Sequence, residues 1–205
     1  MKVLFATTNQ NKISRIRKLF KGTDLDLVSL NDLDYEIKEP EEIGKNGLEN
    51  SIIKAEYYYK NLKIKMPVLA QDDTIFLSEV IEEDNPKKDI KLPVIKKFGE
   101  FTDENAYIHY SDLVTKYNKE YLDIKFIYGH AICSGEVLEG SESSISGRLY
   151  SEINSIRTPG YFLSDMFKLN INGFWKYYSN LNEEELIEQD NDIKRSIAGL
   201  LNKYN

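Results

Sequence analysis

The chain has 205 residues, 41% of them hydrophobic and 30% charged, enough for one domain whose core needs no covalent staple. Its net charge of −7, with no basic run, argues against a nonspecific nucleic-acid binder; a polyphosphate ligand would need local lysines, arginines or a metal. One cysteine excludes an intramolecular disulfide and two histidines exclude a histidine-rich zinc site, which leaves carboxylate-held Mg²⁺, Mn²⁺ or Ca²⁺.

In chain order, residues 3–6 read as a short buried strand and Asn9 or Asn11 as a helix cap. Ile13, Ile16, Leu19 and Phe20 then make a helical stripe that Gly22 ends. Residues 25–30 read as a second strand, and the acid-rich residues 31–45 as a loop. Residues 46–62 are the clearest helix, with Leu48, Ile52, Ala55, Tyr59 and Leu62 on one arc and Glu49 at its edge. Residues 67–70 read as a strand running into Gln71-Asp72-Asp73, residues 75–80 as a further strand, and 82–92 as a charged loop. Residues 103–117 predict a helix, 124–133 and 143–153 predict strands, with turns at Gly135 and Gly140, and 192–204 predict a last helix carrying Ile193, Ile197, Leu200, Leu201 and Tyr204 on one face. Cys133, in the apolar Ala131-Ile132-Cys133, reads as a small core residue. Neither His109 nor His130 has a nucleophile elbow to support a Ser-His-Asp arrangement. No apolar run suits a signal peptide or a membrane helix, so the expected location is cytoplasmic. The sum is an α/β protein around a twisted sheet, expected to form a single domain over residues 1–205.

Three groups carry chemistry. Thr7-Thr8-Asn9-Gln10-Asn11-Lys12 lies between a strand and a helix start, where backbone N–H groups and a lysine suit an anion. The bland reading is a capped helix with a surface lysine. Glu49 and Lys54 lie on the strong helix; the bland reading is an amphipathic helix with flanking charges. Asp72-Asp73 follows an apolar strand, and open α/β sheets bind ligands beyond the carboxyl ends of strands. Two adjacent acids there repel, which a divalent ion relieves; the bland reading is a turn. Together these are the parts of a metal-dependent nucleotide enzyme.

The residues Thr7-Thr8-Asn9-Gln10-Asn11-Lys12, Glu49-Asn50-Ser51-Ile52-Ile53-Lys54-Ala55 and Asp72-Asp73-Thr74-Ile75-Phe76 resemble, in order and spacing, the T-x-N-x-x-K, E-N-A-x-x-K-A and D-D-S-G-L motifs of the inosine triphosphate pyrophosphatase (Ham1-like) family. Leu92-Pro93-Val94 is similar to its L-P-G segment, and Lys194-Arg195-Ser196-Ile197-Ala198 to its S-H-R-x-x-A helix. The resemblance implies a long twisted mixed sheet with flanking helices, two lobes around a central nucleotide cleft, and a homodimer. It implies Mg²⁺-dependent hydrolysis of a nucleoside triphosphate to monophosphate and pyrophosphate, with inosine, deoxyinosine and xanthosine triphosphates preferred; Mn²⁺ is an allowed substitute, and neither nucleic acid nor membrane is a partner. Carried over, Thr7, Asn9, Lys12 and Lys54 hold the triphosphate, with Lys12 and Lys54 also assisting catalysis. Glu49, Asp72 and Asp73 attend the metal, Asp73 is the general base, and Arg195 reads the base's keto group, with Lys176 and Lys194 also on the substrate. Tyr161 or Phe162 stands at the family's stacking aromatic and Ser164 or Asp165 at its acid. Arg15, Ile75, Val94 and Lys194 depart from the family's glutamate, two glycines and histidine. Two other readings stand beside the enzyme: a nucleotide-binding sensor of the same fold with little turnover, motivated by the lost glycines, and an interaction protein whose acids are solvated surface.

Overall fold

The structure is a computed structural model that describes all residues except Ile64, Lys88, Asn205 and the side chain of Tyr204. The expected places of Lys88 in the charged loop and of Tyr204 on the last helix therefore lie outside the described residues.

The elements are β1 (Lys2–Phe5), α1 (Gln10–Leu19), β2 (Asp26–Ser29), α2 (Gly47–Asn61), β3 (Val68–Leu77), α3 (Leu92–Phe98), α4 (Asp103–Lys116), β4 (Tyr121–Ser134), β5 (Val137–Tyr150), β6 (Phe167–Ile171), β7 (Phe174–Tyr177), α5 (Glu183–Gln189) and α6 (Asn191–Tyr204). The strands form a seven-stranded mixed sheet in the order β2-β1-β3-β4-β5-β6-β7. β1 pairs in parallel with β2 and with β3, and β5-β6-β7 pair antiparallel. The expected α/β class with flanking helices is what forms. The chain divides into two compact units, Met1–Thr74 with Ile127–Ser144 and Ile187–Asn205, and Ile75–Phe126 with Ile145–Leu186.

In the first unit α1 starts where Asn9 caps it, the side chain accepting from Asn11 N and Lys12 N. α2 covers one sheet face: Ala55, Tyr58 and Leu62 pack with Leu4, Ala6, Val68, Ala70, Ala131 and Cys133. Ala55 and Leu62 of the predicted stripe are buried as expected, but the rest of the buried face is turned away from it. The buried positions are Gly47, Asn50, Ser51, Ala55 and Tyr58, while Leu48, Ile52 and Tyr59 are half-buried. The cause is close docking: Gly47 N donates to Thr74 Oγ1 at 2.7 Å, and only small residues fit where the helix meets the strands.

The second unit packs α4 through Tyr107, Tyr110, Leu113 and Val114. Phe162 stacks on Tyr110 with ring centroids 5.4 Å apart. Three expectations are corrected. The strands expected at 67–70 and 75–80 are one strand, β3. Gly140 lies inside β5, not in a turn, and that strand runs over Val137–Tyr150 rather than 143–153. Among the described residues the loop expected at 82–92 forms, with a 3₁₀ turn at Glu82–Asp84, and delivers Leu92 into α3. The β6-β7 hairpin went unpredicted although Asn172-Gly173, both at positive φ, is a strong two-residue hairpin signal.

No described helix is long and apolar enough to cross a membrane.

Candidate active site

The site grows from the parallel corner of the sheet. From β1 the chain crosses through α1 to β2 on one side, then through α2 to β3 on the other, so the connections reverse direction at β1. Such a switch leaves a crevice at the carboxyl ends of the strands. β1 stops at Phe5, opposite Leu69, but β3 continues for eight residues to Leu77. Thr7, Thr8 and Asn9 follow β1, and Asp72-Asp73 lie on the part of β3 that has outrun it.

That placement corrects the reading of the acid pair. Asp72 and Asp73 are in mid-strand, not at a strand end, and successive strand residues point to opposite faces. Val68, Ala70, Asp72 and Thr74 face α2, while Gln71 and Asp73 face α1. The repulsion expected of two adjacent acids is thereby eased by geometry and by two lysines. Lys54 Nζ lies 3.5 Å from Asp72 Oδ2 and 2.5 Å from Glu42 Oε1. Lys12 Nζ lies 3.0 Å from Asp73 Oδ2. Asp73 Oδ1 accepts from Gln71 Nε2 at 3.1 Å, and Asp72 Oδ1 from Asp73 N at 2.9 Å.

The two carboxyls differ in proton affinity. Burial raises that of Asp72 more than Lys54 and Lys12 lower it, so its pKa lies above the ordinary value. Burial also pushes Asp73 up, but the Lys12 charge, hydrogen bonds from Lys12 and Gln71, and Arg15 outweigh it and hold the group below the ordinary value.

Glu49 sits in the first turn of α2, its Oε2 accepting Lys45 N at 2.8 Å. Among the described residues no group of three His, Cys, Asp or Glu is assembled. Mg²⁺ in nucleotide sites is held by one or two carboxylates plus phosphate oxygens and water rather than by an all-protein cage, so Glu49 and Asp72, on the α2 side, suit it as a donor set.

The base-reading candidates are differently placed. Tyr161, Phe162, Asp165 and Lys176 belong to the second unit. Phe162 and Asp165 are buried, and Asp165 accepts from Tyr107 Oη at 2.6 Å, Thr158 N at 3.0 Å and Ser164 Oγ at 3.1 Å. Three donors on one carboxylate hold the 158–165 segment in shape. Tyr161 is half-buried, and Lys176 pairs with Glu185 at 2.5 Å. Lys194 and Arg195 lie on α6 in the first unit; the Arg195 side chain is 78% exposed and meets Asp192 at 3.2 Å. Within the first unit the structure gathers Thr7, Asn9, Lys12, Glu49, Lys54, Asp72 and Asp73 at one corner of the sheet.

A model of the Ham1 family matches residues 3–161. The chain belongs to the Ham1 family. A curated dITP/XTP pyrophosphatase from Thermoanaerobacter pseudethanolicus is 33% identical over 109 residues, covering 45% of this chain and 53% of that relative. Another from Nautilia profundicola is 39% identical over 79 residues, 37% of this chain and 36% of the relative. The chain thus matches about a third to a half of the length of these relatives. A Ham1 protein structure from Coxiella burnetii superimposes with a TM-score of 0.75 at 15% identity over 99% of both chains, and one from Staphylococcus aureus with 0.71 at 17% over 100% of both, which shows that the Ham1 fold is shared.

Gln71, Glu42 and His130 receive no site role from the sequence, yet Gln71 and Glu42 contact site residues and His130 lies in their field. Strand alternation alone would have flagged Gln71, two residues before Asp73 on the same face. His130 is fully buried, its Nε2 2.9 Å from Ser143 Oγ, in the field of Asp73, Arg15 and Lys12. Burial lowers its pKa from 6.5 to about 4. The unfolded chain therefore takes up a proton on this ring as pH falls through about 6.5, while the folded chain holds it neutral until about 4. Stability is present above that window and is lost on the way down, by on the order of 2 kcal/mol between about pH 7 and pH 5. Urea unfolding at the two pH values, with wild type and His130→Gln, checks this. The substitution should flatten the difference, and an equal slope in both proteins would show that other groups carry it.

Proposed function

We propose that the chain is a Mg²⁺-dependent nucleoside triphosphate pyrophosphatase, cytoplasmic and homodimeric, that releases pyrophosphate and acts on deaminated purine nucleotides such as dITP, ITP and XTP. The observation that carries this is the pair of lysine–carboxylate contacts, Lys12–Asp73 and Lys54–Asp72, on the two faces of β3 just past the end of β1. The family membership and the relatives named dITP/XTP pyrophosphatase support it.

In this reading the triphosphate draws Lys54 off Asp72 and takes a contact from Lys12 while Asp73 still holds that lysine, and the N–H groups after β1 receive phosphate oxygens. Glu49 and Asp72 would hold the cation, whose charge would offset that developing on the phosphoryl oxygens. Asp72 shares its side of the sheet with Glu49 and Lys54, and we assign it, rather than Asp73, to take the proton from the attacking water. The new bond joins that water oxygen to the α-phosphorus, and the bond to the oxygen bridging the β-phosphate breaks. Asp73, clasped by Gln71 and Lys12, orients the lysine. Tyr161, Lys176, Lys194 and Arg195 remain the candidates for the base, with Phe162 and Asp165 shaping the segment that carries Tyr161.

The sensor reading leaned on lost glycines. Ile75 stands in extended strand and Val94 inside α3, and neither has positive φ, so neither place requires glycine here. Pyrophosphate release from a panel of nucleoside triphosphates, with Mg²⁺ and with chelator, is the deciding assay. Mg²⁺-dependent turnover of dITP or XTP with little on ATP and GTP is expected. Nucleotide binding without turnover would transfer the chain to the sensor reading.

A further inference from the structure

We infer that Arg15 and Asp190 are a positioning pair that sets Lys12 over the triphosphate site, an inference that rests on the pyrophosphatase reading. Arg15 follows Lys12 by three residues on α1, so the two share a helix face. Its Nε donates to Asp190 Oδ2 at 2.7 Å and its Nη2 to Asp190 Oδ1 at 2.5 Å, the two-pronged fork that only arginine makes. The two side chains are 13% and 3% exposed, and the guanidinium lies 4.8 Å from the Tyr128 ring centroid. Asp190 stands at the entry to α6, where its carbonyl accepts Lys194 N at 2.9 Å. The fork thus ties the turn of α1 that carries Lys12 to the start of α6, and the Tyr128 ring fixes the guanidinium from β4. A helix held at Arg15 cannot rotate about its axis without moving Lys12 away from Asp73. Misplacing a catalytic contact by about 1 Å can lower a rate about 100-fold. Because this position is glutamate in the resembled motif, the device belongs to this chain's own residues.

The test uses the full chain with Arg15→Lys, Asp190→Asn and the double variant. Binding of inorganic triphosphate in Mg²⁺ is measured by calorimetry, kcat and KM by pyrophosphate release, and the folded fraction by circular dichroism. Each single variant is expected to lose about tenfold in triphosphate affinity and in kcat per folded molecule, and the double variant no more than the worse single, because the two residues act as one unit. Affinity within about twofold of wild type, losses that multiply in the double variant, or losses that follow only the folded fraction would overturn the inference. If the wild type binds inorganic triphosphate but releases pyrophosphate from no nucleotide, the enzymatic reading fails while the affinities still decide the role of the pair. If the wild type does not bind inorganic triphosphate, both fall.

Discussion

Asp72→Asn is expected to lower kcat by about 10³-fold with the fold intact, whereas Asp73→Asn should lose about tenfold, mostly through KM. The contrast follows from the two faces of β3. Asp72 faces α2 and Lys54, so in the proposed mechanism an amide there removes both a cation ligand and the proton acceptor. Its carbonyl oxygen can still accept Asp73 N, which preserves the local backbone. Asp73 is held by Gln71 and Lys12, and an amide at that place weakens the hold on Lys12 without touching the α2 side. Single-turnover pyrophosphate release, with melting temperature monitored in parallel, reads both. The reverse order of effects would return the base to Asp73, the role that the motif alone assigned it.

Gly129→Ala is expected to destabilise the protein by about 3 kcal/mol, since overpacking against immovable atoms lies at the upper end of that class of substitution. A Cβ at this place would sit 2.3 Å from Leu48 N, 2.4 Å from Leu48 Cα and 2.5 Å from Gly47 C. All three are backbone atoms at the start of α2, and they cannot yield without moving the helix. The movement would pull Gly47 N from Thr74 Oγ1 and carry Glu49 with it. The melting temperature should fall by about 10 °C, and the activity of the remaining folded molecules should drop as well. A fall of less than about 2 °C would mean that α2 docks less tightly than the contact distances say.

Asp72-Asp73 reads as a strand end because Ala70 closes an apolar run, and polar residues usually interrupt strands at their limits. β3 continues because its polar stretch is bought into the sheet by partners distant in sequence: Lys12, Lys54 and Gly47. The same holds for α2. Its apolar arc is legible, but the buried line runs through Ser51 and Asn50, since docking against Gly129 favours small residues over large ones. Asn50 Oδ1 accepts Gly44 N at 2.8 Å, another contact across a loop that periodicity cannot foresee.

Local patterns by themselves determined a good deal. The first strand, the helices at 47–61, 103–116 and 191–204, and the core position of Cys133 follow from spacing and caps within a few residues of each other, and of the two caps offered, Asn9 and Asn11, the structure takes Asn9. The three motifs also fall on elements that meet at one corner of the first unit, because loop-to-helix starts and strand-borne acids are encoded by short contiguous stretches. Tertiary structure alone decided which face each aspartate serves, that Arg15 answers Asp190 from 175 residues away, and that Phe162 stacks on Tyr110 while Asp165 accepts from Tyr107. The physical reason is the range of the interactions. Helix periodicity and capping are settled within a turn or two, whereas a carboxylate's partner is whatever donor the folded chain brings within about 3 Å.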